Sequence, residues 1–130
     1  MSPIAEVAVA AKRIGCACEG HTLDRLLQPT VMALLTEGPS HGYALVDRLK
    51  DSPMMDGNPP DSTGVYRLLN RLQNEEMVSC NWSESDQGPS KRVYELTTAG
   101  RDCVAKWTKT LDAYRRNIAR LVATLHEANL

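Results

Sequence analysis

At 130 residues the chain suits one domain with an added arm, and a chain of that size buries roughly two thirds of its unfolded surface, enough for a core without disulfide or metal staples. That core has to be aliphatic, because there is no Phe and Leu predominates. A net charge of −1 with a pI near 6.3 excludes a generally basic coat, so any nucleic-acid binding has to come from local geometry.

No apolar run approaches the ~18 residues of a membrane span. The start, MSPIAEVAVAAKRIG, carries its cations after the apolar stretch rather than before it, the reverse of a secretory signal. The expectation is a cytoplasmic protein that touches no membrane, with its four cysteines reduced. No internal repeat and no low-complexity tract interrupts the chain.

Residues 2 to 14 read as a short helix. Ser2 can cap it and Pro3 suits its first position. Ile4, Val7, Ala11 and Ile14 form a narrow apolar stripe, and Gly15 stops it. Cys16-Ala17-Cys18-Glu19-Gly20-His21 follows. Two thiols beside a carboxylate and an imidazole can bind a soft metal or act as a redox pair. Only one ligand pair is visible, however, and Cys80 and Cys103 would have to come across space to complete a zinc site. The expectation is no metal and no cofactor, with a metal- or oxidant-sensing role for Cys16 and Cys18 as the alternative.

Thr22 can cap a turn carrying Leu23, Leu26 and Leu27. Pro29 predicts a break or kink near Gln28, after which a helix restarts through Val31, Leu34 and Leu35 and ends at Gly38-Pro39. Ser40 can cap another short helix with Tyr43, Val46 and Leu49 on its inner side. His41 finishes the turn, since no acid or nucleophile stands at a recognisable spacing from it. Asp51 to Pro60, DSPMMDGNPP, is a loop by composition.

Asp61 to Met77 is the stretch that organises the rest. At 100° per residue, Val65, Leu68, Leu69 and Leu72 fall on one side. Thr63, Tyr66, Arg67, Asn70 and Asn74 fall on the other. That second face holds a cation, a phenol and two amides but no carboxylate, and such groups bond phosphates and base edges. Asp61 or Ser62 can cap the helix.

Met77 to Trp82 alternates apolar and polar residues, as a half-buried strand does, and Lys91 to Thr97 reads as the returning strand after a turn at 85–90. An amphipathic helix running into a hairpin, with Lys91 and Arg92 where the hairpin turns back, predicts a wing whose cations contact phosphate or the minor groove. The ten-residue connection before the helix exceeds a tight helix-turn-helix and suits a winged form.

Thr97 or Thr98 can start the last helix. Along it Val104, Trp107, Leu111, Tyr114, Ile118, Leu121 and Leu125 are spaced 3, 4, 3, 4, 3, 4, a heptad seam. A seam that long outruns the domain's own core, and leaving it wet would forgo several kcal/mol at about 25 cal/mol per Å². It predicts a homodimer through this helix.

Three strings together resemble the PadR family of bacterial transcription regulators: GPSHGYAL at 38–45, STGVYRLLNRLQNEEMV at 62–78 and GPSKRVYELTTAGR at 88–101. The resemblance covers roughly residues 23 to 125. It implies a winged helix-turn-helix, a dimer through the last helix and, usually, repression. It also implies DNA contact by Tyr66 and its neighbours and by Lys91 and Arg92 in the wing, and release of DNA when a small molecule binds near the dimer interface. Trp107 is the large flat side chain on the seam and can line such an effector pocket with Leu111, Tyr114 and Ile118; an aromatic or apolar effector would suit it, while burial in the dimer core is the plainer role. Ser62-Thr63-Gly64 departs from the family's usual helix opening, which often has a Pro, and the Cys16–Cys18 arm lies outside the shared region.

The expected fold is therefore mainly α with a small β-hairpin wing: an arm over 1–22, a winged helix-turn-helix over 23–97 and a dimerisation helix over 98–130. The expected function is a non-enzymatic, ligand-responsive repressor. Ser62, Thr63, Tyr66, Arg67 and Asn70 face a double-stranded, inverted-repeat operator, with half-sites about 34 Å apart or a multiple of that. A winged-helix module that binds another protein is the rival reading.

Overall fold

Thirteen hydrophobic side chains from three helices, a short 3-10 turn and two strands meet in one cluster, and Tyr94 is its sole aromatic member. The structure, a computed structural model, describes residues 25–83 and 91–129. The expected arm helix, Cys16 and Cys18, the Thr22 turn and the hairpin turn lie outside the described residues.

Helix α1 spans Leu27–Leu35 and buries Val31, Met32 and Leu35. The expected break before Pro29 does not occur. The helix starts two residues earlier, with Pro29 inside its first turn, where an amide has no intrahelical partner to lose. Ser40 does not cap the next helix either. Ser40–His41 instead forms a two-residue strand, β1, and helix α2 (Gly42–Leu49) follows with His41 at its N-cap and no side-chain cap bond. The inner side of α2 is Gly42, Leu45 and Leu49. Val46 packs against the cluster as expected, but Tyr43 points outward and is 52% exposed. The following loop contains a 3-10 turn, Pro53–Met55, whose Met55 enters the core. Arg25 donates to the carbonyls of Met55 and Asn58 and ties that loop down.

Helix α3 covers Ser62–Asn74. Asp61 caps it, its side chain accepting from the Gly64 amide at 2.9 Å. It ends in a Schellman arrangement. The Met77 amide donates to Leu72 O and the Glu76 amide to Gln73 O, with Glu76 at φ 62° where glycine is usual. Strands β2 (Val78–Ser83) and β3 (Lys91–Leu96) pair antiparallel from Val78↔Leu96 to Ser83↔Lys91. β1 pairs with the other edge of β3 through Ser40↔Tyr94 and His41↔Val93, so the sheet order is β1-β3-β2.

Helix α4, Thr98–Ala128, is capped by Thr97, whose hydroxyl accepts from the Gly100 amide at 3.0 Å and donates to Glu76 O at 2.6 Å. Thr97 thereby joins the end of α3 to the start of α4. Val104 and Trp107 pack on the edge of the core. Beyond them Tyr114, Ile118, Leu121 and Leu125 are 43–58% exposed. The helix has outrun its own domain.

Gly100 is buried where α4 crosses the α3–β2 turn. A Cβ there would overlap the Met77 carbonyl oxygen and stand 3.1 Å from Leu96 Cδ2. The obstructing atom is backbone and cannot swing aside. Gly100→Ala is expected to lose about 1–3 kcal/mol of stability in urea unfolding despite alanine's better helix propensity; an unchanged or raised midpoint would contradict this packing.

Candidate nucleic-acid interface

The apolar side of α3 dictates what its other side presents. Val65, Leu69 and Leu72 are fully buried and Leu68 nearly so, which turns Ser62, Thr63, Tyr66, Arg67 and Asn70 outward together. These five residues line one open hollow of about 430 Å³. They are the five expected from the sequence. Asn74 is exposed but lies outside that lining.

Carboxylates are absent from the lining, and the nearest one in sequence, Asp61, is engaged in capping. Five cations elsewhere are neutralised. Arg48 pairs with Glu37, Lys50 with Asp47, Arg71 with Glu75, and Arg115 and Arg116 with Asp112. The hydrogen bond from Arg115 holds the Asp112 carboxyl below its usual range. Among the described residues Arg67, Lys91 and Arg92 form no ion pair, and neither do Arg101, Lys106, Lys109 and Arg120 on α4. A chain of net charge −1 thus keeps three unmasked positive charges around Tyr66.

A second hollow, of about 240 Å³, adjoins the first and is lined by Gly42, Tyr43, Tyr66, Lys91 and Arg92. Tyr66 borders both, so the face of α3 and the wing cations form one continuous surface. Lys91 Nζ sits 5.0 Å from the Tyr43 ring centroid, and Tyr43 stacks on His41 at 5.2 Å. His41 Nδ1 lies 3.3 Å from the Arg92 carbonyl. The neighbouring Tyr94 hydroxyl pushes the Arg92 guanidinium above its already high ordinary value, although that buried hydroxyl makes no hydrogen bond of good geometry. The charge on Arg92 is fixed at any working pH.

A model of the transcriptional regulator PadR-like family matches residues 31–106. The chain belongs to that family. PadR-like proteins are regulators of transcription and not enzymes. A PadR-like transcription factor from Bacteroides fragilis is 26% identical, with 74% of this chain and 89% of that one covered at a TM-score of 0.61. A PadR family regulator from Eggerthella lenta, 21% identical, covers 92% of this chain and 96% of its own at 0.61. PadR of Bacillus subtilis, solved in complex with operator DNA, is 20% identical over 64% of this chain and 46% of its own, with a TM-score of 0.57. No curated protein matches the chain. The winged-helix fold, mainly helical with a small sheet and a long last helix, is shared with these PadR structures.

Within this PadR-like surface, sequence reasoning missed Gly42, Tyr43 and Trp82. Glycine at 42 has a steric cause, because a Cβ there would lie 2.8 Å from Tyr66 Cζ and 2.9 Å from its hydroxyl oxygen. The spacing of Tyr43, Val46 and Leu49 suggests one inner side; Leu49 is buried and Val46 packs on the core, but Gly42 and Leu45 are buried in place of Tyr43. Trp82 continues the inward alternation of β2 past the end of the core and is 63% exposed. The effector residues are only partly gathered. Trp107 lines a 140 Å³ hollow with Cys103, Lys106 and Thr110, whereas Leu111, Tyr114 and Ile118 lie outside that lining. Among the described residues no group of three or more His, Cys, Asp or Glu could hold a metal ion, and no helix is long and apolar enough to cross a membrane.

If Gly42 exists to admit the Tyr66 ring, Gly42→Ala pushes that ring aside at a cost of about 1 kcal/mol or less in the wild-type chain, and the cost vanishes in a Tyr66→Ala background. Equal costs in the two backgrounds, measured by urea unfolding, would show that the ring is not what glycine accommodates.

Proposed function

We propose that this PadR-like regulator is a cytoplasmic, ligand-responsive repressor that binds an inverted-repeat operator as a homodimer. Residues 23–97 read the DNA and residues 98–130 pair the subunits. The observation that carries the reading is the single open face of Ser62, Thr63, Tyr66, Arg67 and Asn70, free of carboxylates and continuous with two unpaired wing cations. Helix α3 enters the major groove. Ser62 and Thr63 stand in its first turn, where free amides and the helix dipole favour a phosphate. Tyr66, Arg67 and Asn70 reach base edges, and Lys91 and Arg92 take the flanking backbone.

Pairing rests on the seam of Tyr114, Ile118, Leu121 and Leu125, which stays exposed beyond the core of the described residues. A second copy of the same helix meets it with matching heptads. Two modest DNA contacts joined rigidly then reinforce each other through effective concentration, which compensates for the low net charge. Two-fold pairing sets the half-sites about 34 Å apart or a multiple of that. An aromatic or apolar effector bound beside Trp107 acts next to this seam, where a small shift changes the spacing of the two reading helices. The Bacillus subtilis PadR complex with operator DNA supports duplex DNA as the partner.

Arg67→Ala is expected to weaken binding to a selected duplex by about tenfold or more, with sedimentation still reporting the wild-type assembly. Undiminished affinity in a gel-shift titration removes Arg67 from the reading face. Lys91→Ala is expected to lower the slope of log affinity against log salt by about one, as loss of one phosphate contact requires. An unaltered slope takes Lys91 off the contact list.

A further inference from the structure

An indole 63% open to water on an edge strand is an unusual placement, since exposed apolar edges invite association. Trp82 does not serve the core, which on its own strand reaches Val78 and, half-buried at the margin, Cys80. It lies on the same sheet face as Val78, Cys80, Tyr94 and Leu96, so it continues the inner face beyond the last side chain of β2 that packs on the core. Its direct partner across the hairpin is Arg92, whose guanidinium lies over the indole at 5.4 Å from the ring centroid.

The other side of Arg92 is equally defined. β1 pairs with β3 as Ser40↔Tyr94 and His41↔Val93. Carrying that register one residue further sets Gly42 opposite Arg92. Gly42 has no side chain, and the Tyr66 ring occupies the space. The rank therefore runs from Trp82 at the outer edge of the wing, through Arg92, to Tyr66 on the reading helix, and Arg92 and Tyr66 line the same hollow.

We propose that Trp82 is a positioning residue for DNA binding: its ring holds Arg92 on the side of the wing that faces α3, ready to bond a phosphate beside the groove that α3 enters. An arginine at a strand end has many rotamers. Stacking on one face of the guanidinium removes most of them while leaving its N–H edges free for an anion. The proposal rests on the DNA-reading role given above to α3 and the wing.

The test is a double-mutant cycle in affinity for one duplex, selected from a random-sequence library by the wild-type protein and held the same throughout. Trp82→Ala is expected to weaken binding about threefold to tenfold and to lower the salt slope by about one, as Arg92→Ala does. In an Arg92→Ala background the same change has no further effect. Trp82→Phe keeps an aromatic face and retains most of the affinity, whereas Trp82→Leu keeps bulk without that face and behaves like alanine. This contrast stands even if the alanine variant folds poorly. Unchanged affinity and slope, additive losses with Arg92→Ala, or equal binding by the Phe and Leu variants would each overturn the proposal. Arg67→Ala in the same assay separates the two levels. If it weakens binding while the Trp82 variants do not, only the role of Trp82 falls; if the wild type selects no duplex at all, the DNA reading falls and this proposal with it.

Discussion

The burial of one side of α3 is the constraint on which the rest depends. Val65, Leu68, Leu69 and Leu72 meet side chains from α1, α2, β2 and β3 in one cluster. Each such side chain contributes about 1.5–3 kcal/mol when taken out of water. Turning the helix by a single residue would expose several of them and bury Arg67, a cation with no partner. The rotation of α3 is therefore set by the core, and the outward direction of Thr63, Tyr66, Arg67 and Asn70 follows from it. Function here is a by-product of packing: the side that cannot be buried is the side that can bind.

What was legible in the chain follows from the range of the interactions. Local chemistry read well. Asp61 caps α3, Thr97 caps α4, both strands of the wing form where expected although burial along β2 does not alternate, and all five residues assigned to the face of α3 line one hollow. Contacts made across space did not. β1 is two residues long and exists because β3 is there to pair with it. The three-residue spacing of Tyr43, Val46 and Leu49 turns Tyr43 inward, but the space inside is taken by Leu45 and Leu49 and the close approach of Tyr66 to Gly42. Met55 reaches the core from a stretch whose composition predicts only a loop. Pro29 reads as a breaker from the sequence, yet it stands in the first turn of α1, where proline breaks nothing. The same division applies to the site. The face of α3 is periodic and visible, whereas the row Trp82–Arg92–Gly42–Tyr66 depends on two strand registers and a missing side chain.

Charge illustrates why a whole-chain sum misleads. A net of −1 and a pI near 6.3 describe a protein with no general attraction to DNA. Ion pairing removes Arg48, Lys50, Arg71, Arg115 and Arg116 from the field; of the cations left unneutralised, Arg67, Lys91 and Arg92 gather around Tyr66, while Arg101, Lys106, Lys109 and Arg120 are spread along α4. Weak general attraction combined with a focused local field favours a protein that ignores most DNA and holds one sequence. Under that reading the uncovered seam of α4 is the complement, since two focused faces held at a fixed distance supply the affinity that one lacks.

The central claim is that two α3 faces act together on one duplex. Hydroxyl-radical footprinting on a duplex selected by the wild-type protein tests it most directly. The account predicts two equal protected segments related by two-fold symmetry, centred about one helical turn apart or a multiple of that. A single protected segment, or protection that survives when Thr63, Arg67 and Asn70 are all replaced by alanine, would contradict it.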